Sequence, residues 1–178
     1  MPTKPKKSKK SSKKKSKSAP TALLEKQHRV VEGIFKKLEK GGGDAKALLK
    51  ELADNLAAHM SIEQDIYYPA VKKVDEDLVL ESYEEHSMAE LGLKRLLATK
   101  TSDQSFKSRV TAVKELIEHH VEEEEDDLFP HVDKKLSADL LEDLGAKMKA
   151  QFEAVKASGF AKAVPKGFDE TSADVSQQ

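Results

Sequence analysis

Residues 59–69 read HMSIEQDIYYP and residues 120–130 read HVEEEEDDLFP. Histidine, glutamate and proline recur at one offset of 61 residues, so that His59, Glu63 and Pro69 answer to His120, Glu124 and Pro130. In each copy the His and the Glu stand four residues apart, which puts them on one face of a helix. Apolar residues continue that face: Leu49, Leu52, Leu56 and Ile66 around the first copy, and Phe106, Val110, Val113, Ile117 and Leu128 around the second. The spacing predicts two long helices, from about 44 to 71 and from about 103 to 130. The repeat also selects His120 over its neighbour His119 as the inward residue.

The same period appears twice more. Leu24, His28, Val31, Phe35 and Leu38 mark a helix over about 21–40, stopped by Gly41, Gly42 and Gly43. Val79, Tyr83, His86, Glu90, Leu93 and Leu97 mark another over about 75–100. Leu140, Leu144, Met148, Phe152 and Val155 form a fifth, shorter pattern behind Ser137, a residue suited to cap it. The connections are short enough to make successive helices antiparallel neighbours. The expected fold is therefore all-α, an up-down-up-down four-helix bundle over 21–135 with an additional helix at 136–158 packed on it. Residues 1–20 are expected as a disordered Lys/Ser-rich tail and 159–178 as a flexible C-terminal tail.

Composition agrees and excludes much. The 178 residues include no Cys and no Trp, which removes disulfide scaffolds, zinc knuckles, iron–sulfur clusters and thiol catalysis. Any metal must be held by nitrogen and oxygen. Charged residues are 35% and aromatics 5% of the chain, a balance that favours charge-faced helices over a sandwich or barrel. The net charge of −1 hides an asymmetry: residues 1–18 carry nine of the 31 basic residues and none of the 32 acidic ones, leaving 22 against 32 in the body. A detached Lys-rich arm can neutralise phosphates without a groove-reading fold, so non-specific nucleic acid is a candidate partner for residues 1–18. No apolar run approaches the roughly 18 residues of a membrane span, and the N-terminus lacks the apolar core of a secretory signal. The expectation is a cytoplasmic protein with no membrane contact.

His28, His59, His86 and His120 each take a slot in the apolar stripe of a different helix. Counted from the bundle end they share, the four fall in one layer within about a turn. Glu32, Glu63, Glu90 and Glu124 each follow one of them by four residues. The Glu122–Asp127 run makes the last of these weak alone, and the 61-residue repeat makes Glu63 and Glu124 the stronger pair. The candidate metal ligands are thus His28, His59, Glu63, His86, Glu90, His120 and Glu124. Glu32, His119 and His131 read as solvent-facing, and Tyr67, Tyr68 and Tyr83 as core or boundary aromatics, one of which could donate a hydrogen bond at the site. Imidazole and carboxylate on facing helices suit iron or manganese, and two inward glutamates could bridge a metal pair. Ferritin-like chemistry wants Glu-x-x-His on two helices; only Glu25 and His28 have that spacing.

These residues resemble the hemerythrin-like, or HHE cation-binding, domain: a lone His28 on the first helix, His59-x3-Glu63 with its Tyr-Tyr-Pro ending on the second, His86 on the third, and His120-x3-Glu124 with its Leu-Phe-Pro ending on the fourth. The resemblance covers about 21–135 and implies a non-haem centre of two iron ions, oxo- or hydroxo-bridged, that takes dioxygen or peroxide as a small ligand. Two departures stand out. The oxygen-carrying members place a second His four residues after the third-helix His, where this chain has Glu90. Their fourth-helix carboxylate is an Asp five residues after its His, where this chain has Glu124 at four and Glu125 at five. The expected roles are accordingly oxygen or redox sensing, peroxide removal or iron handling, with at most a weak oxidase or peroxidase/catalase-like activity. The competing reading is a metal-silent helical interaction module, which would have to bury four imidazoles and several carboxylates at a cost of several kcal/mol.

Overall fold

A computed structural model describes residues 17–167 and 171–176. The disorder expected for the Lys-rich segment 1–16 lies outside the described residues. The elements are α1 (Ala19–Glu39), α2 (Ala45–Ile62), a π-helical turn π1 (Glu63–Tyr67), α3 (Tyr68–Val71), α4 (Glu76–Leu97), α5 (Phe106–Glu123), a second turn π2 (Glu124–Leu128), α6 (Phe129–Lys135), α7 (Ala138–Ser158), and the short α8 (Phe160–Ala163) and α9 (Ser172–Ser176). No strand occurs among the described residues, and no helix there is long and apolar enough to cross a membrane.

Three helices open on a capping side chain, Ser137 as the sequence suggests. Asp44 accepts a hydrogen bond from the Lys46 N–H, Asp75 from that of Leu78, and Ser137 from that of Leu140. The first helix begins at Ala19, two residues ahead of the expected boundary, because the Ser18 N–H and the Thr21 hydroxyl are both tied to Asp133. The prolines behave less simply. Pro69 stands two residues before the helical stretch ends at Val71, as expected, whereas the chain expected to end near Pro130 stays helical to Lys135. A proline has no N–H to give and its ring displaces the carbonyl four residues back. Here one extra residue is wound into the preceding turn, so the Tyr68 N–H bonds Glu63 and the Phe129 N–H bonds Glu124. Both π-turns therefore open at the glutamates of the 61-residue repeat, a location typical of functional sites.

α1 lies against α2 and α5, and α4 against α2 and α5, which closes the four-helix ring. α7 covers the outer face of α1 and α2. It comes so near that a Cβ on Gly145 would stand 2.7 Å from the Ala19 Cβ, so this crossing needs glycine. Gly159, with φ +81, then turns the chain back, and the Phe160 N–H is accepted by Asp54. Residues 159–178 were expected to be loose. Among the described ones, however, Thr171 and Ala173 are buried and α9 packs on α4.

The interior consists of two apolar blocks. One gathers Leu24, Ile62, Tyr67, Tyr68, Leu128 and Phe129 with the inner face of α7. The other gathers Val31, Phe35, Leu56, Leu93, Val110 and Ile117. Between them lies a buried polar layer made of His28, His59, Glu63, His86, His120 and Glu124.

Candidate metal centre

Each histidine is flanked on its own helix by residues of both apolar blocks, so helix packing forces the four imidazoles inward. Their Nε2 atoms converge: His28 and His59 at 3.2 Å, His86 and His120 at 3.0 Å. Glu63 Oε2 lies 3.2 Å from His59 Nε2 and 3.3 Å from His86 Nε2. Glu124 Oε2 lies 3.4 Å from His28 Nε2 and 3.7 Å from His120 Nε2. Two donor groups result, His28, His59, Glu63 and Glu124 in one and Glu63, His86 and His120 in the other. Glu63 belongs to both. Ligands about 2.0–2.2 Å from one cation at tetrahedral or octahedral angles stand roughly 2.8–3.6 Å apart, which is close to these separations. Both oxygens of Glu63 and Oε2 of Glu124 are buried without a hydrogen-bond partner. A cation beside the two carboxylates answers that deficit, so the residues present fit bound metal.

The outward ring nitrogens explain how the imidazoles are held. His28 Nδ1 donates to Glu125 at 2.7 Å, and His120 Nδ1 to Glu85 at 2.7 Å. His59 Nδ1 donates to the Gln27 oxygen at 2.9 Å, and the Gln64 amide lies 3.1 Å from His86 Nδ1. With its oxygen turned to the ring, that amide accepts the Nδ1 proton and leaves the Nε2 lone pair facing inward. Sequence reasoning missed these four residues. Each adjoins a candidate ligand in the chain: Gln27 beside His28, Gln64 beside Glu63, Glu85 beside His86, Glu125 beside Glu124. A residue one position from an inward ligand points about 100° away, towards the neighbouring helix, and there it meets the next imidazole. This also separates Glu124, which faces the centre, from Glu125, which supports His28 and pairs with Arg29.

The repeat breaks where Tyr68 faces Phe129. The Tyr68 hydroxyl donates to Glu124 Oε1 at 3.0 Å and lies 3.2 Å from His86 Nε2. Phe129, 61 residues on, stacks on His28 with centroids 6.0 Å apart. One half of the centre thus carries a phenol and the other an apolar ring. The Tyr83 hydroxyl donates to the Gln64 carbonyl, and the Tyr67 hydroxyl has no partner.

Glu90 is buried but stands in neither donor group. Its carboxylate is paired with Lys94 Nζ at 2.8 Å and accepts from the Ser172 N–H at 3.0 Å. The inward stripe brought Glu90 to the helix interface, and the C-terminal segment drew its carboxylate aside. Glu90→Ala should leave the metal content unchanged while loosening residues 171–176, read as faster amide exchange there. Glu32 pairs with Arg29 and Lys36, His131 with Asp75.

Burial first, then the neighbouring imidazoles, holds His59 and His86 well below the ordinary histidine range. Burial and then Glu124 push Glu63 well above the carboxylate range. At His28 burial works against the charge, but Glu124 and Glu125 outweigh it and raise the pKa. Burial likewise opposes ionisation of Glu124, yet His120, His28 and Tyr68 lower it. Without metal, then, the surroundings favour neutral His59 and His86, the form that binds, and protonated Glu63 and His28, whose protons compete with a cation. Metal binding should release protons, more of them as pH falls, with affinity falling in step. Titration calorimetry in two buffers of unlike ionisation enthalpy reads this directly, and uptake without proton release at pH 6.5 would contradict it.

Above the layer a cavity of about 70 Å³ is lined by all four histidines, by Val31, Phe35, Leu56 and Ile117, and by Glu32 and Glu118. It has room for a few atoms and presents mostly apolar walls to anything bound at the Nε2 layer. A larger cleft of about 820 Å³, near Lys46, Asp54, Leu97 and Phe160, contains none of the histidines.

The hemerythrin HHE cation-binding domain profile matches residues 19–132. A protein of Mycobacterium tuberculosis, Rv2633c, is 27% identical over 140 residues, which span 76% of this chain and 86% of that one. A DNA nickase of Nostoc is 27% identical over 131 residues, spanning 72% of this chain but 37% of the nickase. The crystal structure of a hemerythrin HHE cation-binding domain protein from Mycobacterium kansasii, an Rv2633c homologue, superposes with a TM-score of 0.70 at 30% identity, covering 80% of this chain and 89% of that one.

Proposed function

Given that the chain belongs to the hemerythrin HHE cation-binding family, we propose that it holds two iron ions and reacts with dioxygen or peroxide, in peroxide removal or redox sensing rather than oxygen carriage. The observation that carries this reading is Glu63, both of whose oxygens are buried without a hydrogen-bond partner and whose Oε2 lies between His59 on one side and His86 on the other. His28 and His59 would hold one ion and His86 and His120 the other, with Glu63 and Glu124 between them. When bound, the iron pair supplies two-electron redox chemistry towards a small oxygen ligand.

The chain's own residues set the direction of that chemistry. Glu125 and Glu85 accept the Nδ1 protons of His28 and His120. A carboxylate in that place makes the imidazole more basic and favours the more highly charged metal. Glu90 contributes no such bias, since Lys94 balances it. The single proton of the Tyr68 hydroxyl is given to Glu124 beside His86 and would have to turn from it to reach a bound oxygen ligand, and the small cavity over the histidines limits the size of what can enter. The test is aerobic purification with metal analysis, a near-ultraviolet spectrum and a peroxide-decay assay. About two irons per chain, oxo-bridge absorption and peroxide loss faster than with free iron are expected; one iron or fewer per chain after iron loading would sink the paired centre.

The nine lysines of residues 1–18 support a second, separable role as an arm for nucleic acid. If all nine engage phosphates, the logarithmic salt slope on duplex DNA approaches about −8, reduced by the acidic body. A chain starting at Thr21 should bind no DNA and keep full metal content; equal binding by both forms at low salt would remove the arm's role.

A further inference from the structure

Outside the buried centre, one more mixed donor group stands on the seam between α4 and α5. His119 Nε2 lies 3.5 Å from Glu123 Oε1 and 3.9 Å from Glu85 Oε1, and the three donor atoms all fall within 4.8 Å of one another. The sequence marks His119 as solvent-facing, and its side chain is indeed the exposed member of the group. An ordinary surface ion pair needs one carboxylate for one imidazole. Here two carboxylates, from different helices, converge on the same Nε2, with Glu81 one turn earlier on α4 adding further negative charge towards Glu123. The 3.5 Å separation is close to the roughly 3.4 Å that two ligands at about 2.1 Å from a tetrahedral cation would show. Glu123 Oε2 is also buried without a hydrogen-bond partner. The side chains are graded in exposure, 61% for His119, 25% for Glu123 and 12% for Glu85, so the group runs from solvent inwards.

Its inner end is what gives it a role. Glu85 turns Oε1 to His119 and Oε2 to the Nδ1 of His120. One carboxylate thus belongs at once to the outer group and to the support of a buried imidazole. We propose that Glu85, His119 and Glu123 form an outer divalent-cation site that stages ions for the buried centre. The staging part rests on the reading of that centre as a metal site; the outer site itself does not. An imidazole with two carboxylates suits zinc, iron(II) or manganese(II), and the exposed side of His119 leaves coordination positions open to water.

The test uses the full chain with iron in its buried centre, dialysed against Zn²⁺ and analysed for both metals. One zinc per chain beyond the iron is expected. His119→Ala and Glu123→Gln, both at the surface end of the group, should weaken zinc at least tenfold while iron content stays as in the parent. Failure of the parent to take zinc, or equal uptake by the parent and His119→Ala, overturns the outer site. Staging is read separately, from the rate of iron(II) uptake by the metal-free chain: both variants should load several-fold more slowly to the same final content, and unchanged rates overturn it. In Glu63→Ala, where the buried pair is broken, the zinc that His119→Ala removes should persist. Its loss there would likewise overturn an independent outer site, whereas zinc in a parent chain that takes up no iron pair would overturn the proposed centre and leave the outer site standing.

Discussion

Glu63→Ala should empty the centre, lowering bound iron from about two per chain to well under one and abolishing the near-ultraviolet absorption. The expectation rests on position. Glu63 is shared by both donor groups, whereas each histidine serves one. His59→Ala is accordingly expected to cost at least one ion and to leave His86 and His120 able to keep some of the other. Glu63→Gln separates metal loss from misfolding. Its amide removes the buried negative charge but keeps the shape of the side chain. Glu63 has a folded pKa raised above its unfolded value of about 4.5, so its ionisation opposes folding: metal-free stability is lost as pH rises from the unfolded value through the folded one. Metal-free Glu63→Gln should therefore melt higher than the metal-free parent at pH 8, although it binds less iron. A Gln variant that keeps two irons, or one that melts lower than the metal-free parent at pH 8, would contradict this account of Glu63.

Stripping the metal from the parent chain should lower its melting temperature by about 15–30 °C. A cation present at about a thousand times its dissociation constant stabilises the folded state by about 4 kcal/mol, so two ions contribute about 8. For a chain of this size each kcal/mol moves the midpoint by roughly 2–4 °C. The loss should deepen under acid. His59 and His86 have folded values below the unfolded one, so the stability tied to their neutral forms is present above about pH 6.5 and fades as pH falls towards those folded values. Differential scanning calorimetry with and without chelator measures both effects. A midpoint indifferent to iron removal would favour the metal-silent helical module.

Much of this protein is written in local pattern. The 61-residue repeat, the period of three and four, the Ser137 cap and the absence of cysteine together specify a helical bundle with an inward layer of imidazole and carboxylate. Each of these signals depends on the backbone geometry of a single helix, which neighbouring residues determine between themselves. Tertiary structure decided the rest, because it depends on which helix stands beside which. Glu90 shares the inward stripe with His86, yet Lys94 and Ser172 hold its carboxylate, and Ser172 is 82 residues away in the chain. Gln27, Gln64, Glu85 and Glu125 look like surface residues along one helix and become the supports of imidazoles on another. The two π-turns set Glu63 and Glu124 against each other while Tyr68 and Phe129 make the halves differ. A carboxylate's role follows from which proton or cation lies nearest once it is dehydrated, and only the packed bundle supplies that neighbour.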